Sequence, residues 1–163
     1  MFREMRRNKQ LLSEEIAVEI LNRNTSGTLA LLGDNDYPYA VPMSYVYADG
    51  RIYFHASKVG HKIDAINNHE KASFCVIDKD EIVPEKYTTY FRSVIAFGKR
   101  QLVENVEDIR RIAKVLAMKY SPDFEEGITA EIDSSLQNMA IIEMTIDHMT
   151  AKEAIELIKM RNK

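Results

Sequence analysis

The chain is poor in cysteine and has no long apolar run. Its single cysteine, Cys75, cannot form an intrachain disulfide, which is typical of proteins from a reducing compartment. No stretch approaches the ~18 apolar residues that a membrane-spanning helix needs, and the basic start, residues 1–10, is not followed by the apolar segment of an export signal. We therefore predict a cytoplasmic protein that makes no contact with a membrane.

An excess of positive charge is also missing. Lys and Arg number 22 against 25 Asp and Glu, which gives a net charge of −3 and an isoelectric point near 5.8. This balance gives no general attraction to nucleic acid, so any anion site must be local. With 45% apolar and 29% charged residues, the 163 residues suit one globular domain, predicted over 1–163.

What the sequence does contain is a series of short strands separated by turns. A bulge or bend is predicted at Gly98. Strands joined by hairpins favour an antiparallel barrel or sandwich with peripheral helices, and no Gly-rich fingerprint follows the first strand to support a parallel dinucleotide-binding fold. Strands are predicted over 28–32, 37–47, 51–56, 72–77, 88–103 and 140–146. Helices are predicted over about 13–24, 60–68, 106–120 and 150–160, with a loop over 78–86.

The segment 57–62 holds the groups that an anion site needs. A helix that begins here presents unpaired backbone N–H groups with a partial positive charge. Ser57 adds a hydroxyl donor, Gly60 lets the backbone approach a ligand closely, and Lys62 adds a charge from the first turn. His61 could add a second donor. Taken alone, the same residues also fit the solvated start of a helix that binds nothing.

A proline interrupts the second predicted strand. Because Pro42 cannot donate a hydrogen bond to a neighbouring strand, its strand must lie at an edge or a bulge. Unpaired main-chain groups there would be open to a flat heteroaromatic ligand, with Val41 and Met43 as apolar surface and Ser44 as a hydrogen-bonding side chain. A flat ring together with a phosphate indicates a nucleotide-like cofactor.

Three motifs carry a resemblance to a known family. YPYAVPMSY (37–45), DGRIYFHAS (49–57) and GHK (60–62) resemble the FMN-binding split-barrel superfamily of pyridoxamine 5′-phosphate oxidase, in the branch related to nitroimidazole-resistance proteins. The resemblance implies a mainly β fold, a six-stranded antiparallel Greek-key split barrel with flanking helices. It also implies a homodimer that binds FMN at its interface.

The resemblance further implies which residues form the site. His55 lies where the relatives place a histidine beside flavin and substrate, and it is the predicted catalytic residue, donating protons while reduced flavin reduces a nitro group. Tyr90 and Ser93 are weaker candidates, for the ring edge or for a contribution from the partner chain. The predicted cofactor-binding residues are Val41, Pro42, Met43, Ser44, His55, Ala56, Ser57, Gly60, His61, Lys62, Tyr90 and Ser93.

The chain departs from the oxidase pattern at two places. The oxidase has an arginine where this chain has His61, which implies a weaker or pH-dependent hold on the phosphate, since histidine titrates near neutrality. The C-terminal Arg/His substrate motif of the oxidase is missing, so oxidation of vitamin B6 is not expected. The leading interpretation is an FMN-dependent oxidoreductase acting on a small electrophile such as a nitroaromatic.

Other interpretations stay open at this point. The protein could bind flavin without turnover, or the same barrel could hold a deazaflavin or a haem, with His55 or His148 as an axial ligand. The histidine spacing does not place three imidazoles on a common face, so no metal site is predicted. Cys75, between Phe74 and Val76, is predicted to be a small core side chain.

Overall fold

One antiparallel sheet organises the chain, and helices lie around it. The computed structural model describes residues 1–161, and the last two residues of the domain predicted over 1–163 lie outside the described residues. Among the described residues, no helix is both long and apolar enough to cross a membrane. The strands are β1 (Ser26–Leu32), β2 (Pro38–Ser44), β3 (Val46–Ala48), β4 (Arg51–Ser57), β5 (Lys71–Val83), β6 (Thr88–Leu102) and β7 (Met139–Glu153). The helices are α1 (Glu14–Arg23), α2 (His61–Asn68), α3 (Val106–Tyr120), α4 (Glu125–Ser135) and α5 (Ile155–Arg161).

The sheet curls so that its edge strand β2 approaches β4 near the other edge. Its strand order is β2-β1-β5-β6-β7-β4-β3, and every neighbouring pair is antiparallel, which confirms the predicted mainly β, antiparallel architecture. β2 is an edge strand, as Pro42 requires, and it contacts β4 without pairing with it. Because β3 pairs only with residues 51–53 of β4, residues 54–57 face a gap in the barrel wall. We call this gap the split.

Two apolar clusters hold the fold together. The first fills the barrel, where the ring of Phe74 meets Phe54 and Tyr45 edge-on at centroid distances of 4.9 and 4.8 Å. The second lies outside the barrel, where apolar residues of α3 and α4 cover Tyr53 and Ile141. Burying each large apolar side chain contributes roughly 1.5–3 kcal/mol, so both helices are firmly held against the outer face of β4, next to the split.

Side-chain caps explain where two of the helices begin. The Ile16 N–H donates to Ser13 Oγ at 3.4 Å at the start of α1. Asn105 Oδ1 accepts from the N–H groups of Glu107 and Asp108, at 2.9 and 3.1 Å, at the start of α3. Such caps satisfy backbone donors that have no partner inside the helix. The helices predicted over 13–24 and 106–120 are confirmed.

Several predicted boundaries are wrong for identifiable reasons. The strand predicted over 37–47 is two strands, β2 and β3, which separate at Tyr45. There the Tyr45 N–H donates to the Tyr120 hydroxyl at 2.8 Å, and the Tyr45 hydroxyl donates to the Leu21 carbonyl at 2.7 Å. These long-range bonds fix a bend that the local sequence does not show.

The two hairpin strands are longer than predicted. β5 continues through most of the loop predicted over 78–86, because its polar residues pair with β6 on the exposed end of a hairpin. β7 continues to Glu153, so the helix predicted over 150–160 begins only at Ile155. The prediction that Cys75 is a core residue is also wrong. Side chains alternate along a strand, so Phe74 and Val76 face the core while Cys75 lies half-buried on the outer face.

The bulge predicted at Gly98 is confirmed. The register of β6 against β7 shifts between Phe97, which pairs with His148, and Gly98, which pairs with Ile146. The backbones approach so closely that a Cβ atom at Gly98 would lie 1.7 Å from the Thr145 carbonyl oxygen. Only glycine fits this position.

A buried ion network joins α1, β5, β6, β7 and α5. Arg92 lies at its centre, with Nη1 at 3.0 Å from Asp78 Oδ2 and Nε at 2.7 Å from Glu153 Oε2. Arg23 binds Asp78 through both carboxylate oxygens, and Arg161 binds the fully buried Glu153 at 2.9 Å. Burial alone would raise the pKa of Asp78, but hydrogen bonds from its neighbours outweigh this effect and lower that pKa to about 2.

This network predicts an acid-sensitive stability. The ordinary pKa of Asp78 is 3.8 and its folded value is about 2, so the unfolded chain binds the extra proton first as the pH falls. The contribution of Asp78 is therefore present above pH ~4, and about 2 kcal/mol of it is lost between pH ~4 and pH ~2. We expect urea titrations to show that Asp78→Asn lowers stability at pH 7 and removes this part of the pH dependence. Asp80→Asn, on the exposed part of the same strand, should leave it in place. An unchanged acid profile in Asp78→Asn would contradict the assignment.

Candidate functional site

A cleft opens at the split. It has a volume of about 490 Å³ and lies between the ends of β2 and β4 on one side and helices α3 and α4 on the other. β2 and β4 contribute Pro42, Met43, Ser44 and His55, which are all predicted site residues, and β7 contributes Met139. The helices contribute a mainly apolar roof that includes Leu116, Ala117 and Ile132. The structure thus brings together two motifs that are separate in the sequence.

Strand alternation decides which predicted residues can face a ligand in the cleft. In β2, Val41 and Met43 turn toward the barrel core, while Pro42 and Ser44 are exposed. In β4, His55 and Ser57 are exposed, while Ala56 is buried in the core. Val41 and Ala56 can therefore offer a ligand only their backbone, whereas Pro42, Ser44 and His55 can offer side chains.

The N-terminus of α2 has no side-chain cap, unlike those of α1 and α3. Gly60 precedes it with φ of +119°, a left-handed value that favours glycine, and no side chain accepts a bond from the first turn. The N–H groups of Ile63 and Asp64 donate to the Gly60 carbonyl at 2.8 and 3.1 Å. Within the described part of the chain, the N–H groups of His61 and Lys62 have no acceptor, so they are available to an anion.

Lys62 joins this helix start to the cleft. Its ammonium lies 3.0 Å from the sulfur of Met43, which is a weak acceptor and a lining residue of the cleft. Burial lowers the pKa of Lys62. Among residues 1–161, no carboxylate lies within ion-pair distance of it. A half-buried cation without a counter-ion is electrostatically suited to receive an anionic ligand.

The His61 side chain turns away from the helix axis. Its ring stacks on Tyr39 at a centroid distance of 4.2 Å, and Nε2 accepts from the Asp34 N–H at 3.3 Å and lies 3.7 Å from the Asp34 carboxylate. The imidazole therefore contacts the turn between β1 and β2. His61 can offer an anion its backbone N–H, and its place in a phosphate site stays a prediction.

Three other residues named from the sequence lie away from the cleft. Tyr90 is buried on β6, with its hydroxyl 2.9 Å from Lys86 Nζ, and Ser93 is half-buried on the same strand opposite Lys152. His148 lies on β7 and stacks on Phe2 at 4.7 Å. Only a second chain could bring Tyr90 and Ser93 to the cleft, and the predicted homodimer stays a prediction.

The roof of the cleft contains residues that sequence reasoning missed. Helix α4 was not predicted, since residues 125–135 lack an N-terminal side-chain cap and contain Gly127. The available signal is the spacing of Ile128 and Ile132, four residues apart, because both positions lie on one helix face and both are buried. Ile132 and Ser135 of this helix line the cleft.

Fold and site together define a class of protein. Proteins of this class are antiparallel split barrels, and this chain has a mainly apolar cleft at the split and an uncapped helix N-terminus beside the cleft. The family profile described as pyridoxamine 5′-phosphate oxidase matches residues 13–153 of this chain. The chain belongs to this family, which confirms the resemblance stated from the motifs.

Solved structures share this fold. A conserved hypothetical protein from Mycobacterium tuberculosis is similar with a TM-score of 0.80 and 19% identity, over 92% of this chain and 90% of that one. A proposed 5-nitroimidazole antibiotic resistance protein from Bacteroides thetaiotaomicron has a TM-score of 0.72 and 18% identity, over 88% of this chain and 86% of that one. An FAD and haem binding protein from Mycobacterium smegmatis has a TM-score of 0.74 and 21% identity, over 90% and 73%. These similarities confirm the split barrel. No curated protein matches the sequence significantly.

Proposed function

We propose that the protein is a homodimeric flavoprotein that binds FMN at the split and reduces a small electrophile such as a nitroaromatic. The observation that carries the proposal is Lys62, a half-buried cation without a counter-ion at an uncapped helix N-terminus beside an apolar cleft. A ligand with an anionic group linked to a flat ring fits this site, because the anionic group can bind Lys62 and the start of α2 while the ring enters the cleft. The names of two structural relatives support the proposal, since one is a proposed nitroimidazole resistance protein and another is an FAD and haem binding protein.

The residues present fit such a ligand. The phosphate would be held by the backbone N–H groups of His61 and Lys62, the Lys62 ammonium and the Ser57 hydroxyl. The ring would lie along Pro42 and Ser44, below the apolar roof. Bound FMN supplies the electrons of a two-electron reduction.

His55 is the proposed proton donor. Its side chain is exposed on β4 and lines the cleft, so a substrate held under the roof can receive a proton from the imidazole. Histidine is the commonest general acid in enzymes, and a positioned one contributes roughly 10²- to 10⁴-fold to a rate. The cleft lining contains Glu131 and no Arg or Lys, so it favours an uncharged or cationic aromatic substrate over an anionic one.

The residues that line the cleft also favour a second candidate function, which is flavin binding without turnover. No Arg or Lys side chain lines the cleft, so the described residues hold no cationic clamp for a second substrate. A flavin carrier or sensor without turnover of its own fits the same geometry. The two candidates agree on flavin binding and differ on catalysis.

Nitro reduction by the FMN-loaded protein separates them. We expect the wild type to reduce a nitroimidazole with NAD(P)H or dithionite. His55→Gln should lower turnover by about 10²-fold and change the FMN dissociation constant far less, since glutamine keeps a hydrogen-bonding side chain beside the flavin but cannot transfer a proton. His69→Gln is the control, because His69 is exposed beyond the far end of α2. No turnover by the wild type with either reductant would favour the carrier, and full turnover by His55→Gln would remove His55 from the mechanism.

A further inference from the structure

Arg100 is a buried cation whose partners are all carbonyl groups. Its residue is only 4% exposed, and its guanidinium donates from Nη1 to the Ile66 carbonyl at 2.6 Å and from Nη2 to the Ala65 carbonyl at 2.7 Å. Nε is buried without any partner. No carboxylate of the described residues lies within ion-pair distance of the guanidinium, and burial lowers the pKa of Arg100. A buried charge of this kind costs free energy, which its two carbonyl bonds must offset.

Both carbonyls belong to the last turn of α2, whose first turn is the proposed phosphate site. The Ala65 carbonyl also accepts from the His69 N–H at 3.2 Å, while Arg100 is the partner found for the Ile66 carbonyl. A cation at this end of the helix also complements the negative end of the helix dipole. The guanidinium thus binds the end of α2 that is opposite to Lys62. Two bonds from one rigid guanidinium fix the position of that turn relative to β6 more firmly than a single bond could.

The start of α2 is held through side chains, since the His61 ring stacks on Tyr39 at 4.2 Å and accepts from the Asp34 N–H at 3.3 Å. These contacts do not bond to the backbone N–H groups of the first turn. The helix is only eight residues long, too short to be stable without its surroundings, and it begins without a side-chain cap. Ile63 and Ile66 pack its inner face against the barrel, but apolar contacts resist sliding or rotation of a helix only weakly. Because a helix this short, about 12 Å, moves as one body, fixing its last turn also fixes the direction of its first N–H groups.

We propose that Arg100 is the positioning residue of the phosphate site, setting the place of the His61 and Lys62 N–H groups through α2 without touching the ligand. This inference rests on the proposed function. The positioning role proposed for Arg100 differs in a measurable way from that of a residue that only stabilises the barrel. A general loss of stability would weaken the binding of every flavin, whereas a displaced α2 would weaken the binding of the phosphorylated one alone.

The test compares FMN with riboflavin, which has the same ring and no phosphate. Dissociation constants for both are measured by flavin fluorescence on the wild type, Arg100→Met and Arg100→Lys, alongside their melting temperatures without ligand. We expect Arg100→Met to lose about tenfold in FMN affinity and almost nothing in riboflavin affinity. Arg100→Lys, which can still bond to one carbonyl, should keep part of the preference for FMN and guards against a methionine variant that fails to fold. Arg111→Met, on the exposed face of α3, should match the wild type.

The outcomes separate this inference from the function on which it rests. Equal losses for FMN and riboflavin, or an unchanged preference in a folded Arg100 variant while Lys62→Met abolishes it, would overturn the role of Arg100 alone. A wild type that binds FMN no better than riboflavin would overturn the phosphate site and this inference with it.

Discussion

Replacing Lys62 by methionine is expected to raise the dissociation constant of FMN by about 10- to 100-fold and to leave that of riboflavin unchanged. The estimate follows from the roughly 1.5–3 kcal/mol that a hydrogen bond to a charged group contributes. Methionine has an apolar stem close in length to that of lysine but no ammonium, so it keeps the packing of the stem while it removes the charge and the weak bond to the Met43 sulfur. Fluorescence titration with both flavins measures the two constants directly.

The comparison of the two flavins makes this result specific. Riboflavin contains the ring that the cleft would hold and lacks the group that Lys62 would bind. Lys71→Met is a matched control, since Lys71 is exposed and follows the opposite end of α2. Loss of both ligands in Lys62→Met would mean that the lysine supports the cleft itself, and loss of neither would place the phosphate elsewhere.

Gly98→Ala is expected to destabilise the fold strongly, because a Cβ atom at Gly98 would meet the closest contact found for any of the six glycines. The new Cβ would lie 1.7 Å from the Thr145 oxygen and 2.8 Å from its carbon, and these are backbone atoms of the paired strand β7. They cannot move without breaking the ladder between β6 and β7 at the centre of the sheet. We expect a loss above ~3 kcal/mol in urea unfolding, or no folded protein at all.

Gly127→Ala adds the same methyl group at a position where it is expected to stabilise the protein. Gly127 lies within α4, with open space around its Cβ position, and alanine is the better helix former by about 1 kcal/mol. This variant should therefore be slightly more stable than the wild type. A Gly98→Ala protein within ~1 kcal/mol of the wild type would show that β6 and β7 are further apart than described.

The elements that could be predicted from the sequence are those with a local signal. Pro42 required an edge strand, Ser13 preceded a helix, and Gly98 indicated a bulge, and each is found where its chemistry requires it. The errors fall where distant contacts decide. The bend at Tyr45 depends on Tyr120, which lies 75 residues away in the chain. The extension of β7 to Glu153 depends on pairing with Arg92, which no local pattern shows.

In the candidate site, too, the features with a local sequence signal could be predicted and those set by distant contacts could not. The motif positions Pro42, Ser44 and His55 meet in one cleft, and Lys62 lies beside it. Side-chain directions were harder to predict, since residues 37–45 contain the bend that sets which face each side chain occupies. The position of the His61 ring on Tyr39 depends on how the β1–β2 turn folds back over α2. Neither feature leaves a pattern within the motif itself.

The central claim is that the split binds flavin, and one titration tests it most directly. The purified protein is freed of bound small molecules, FMN is added stepwise, and the visible absorbance and flavin fluorescence are recorded. The account predicts a saturable change that reaches one FMN per chain, with the absorbance bands of oxidised flavin retained on the protein. A protein that leaves the FMN signal unchanged, or that takes up haem in its place, would contradict the account.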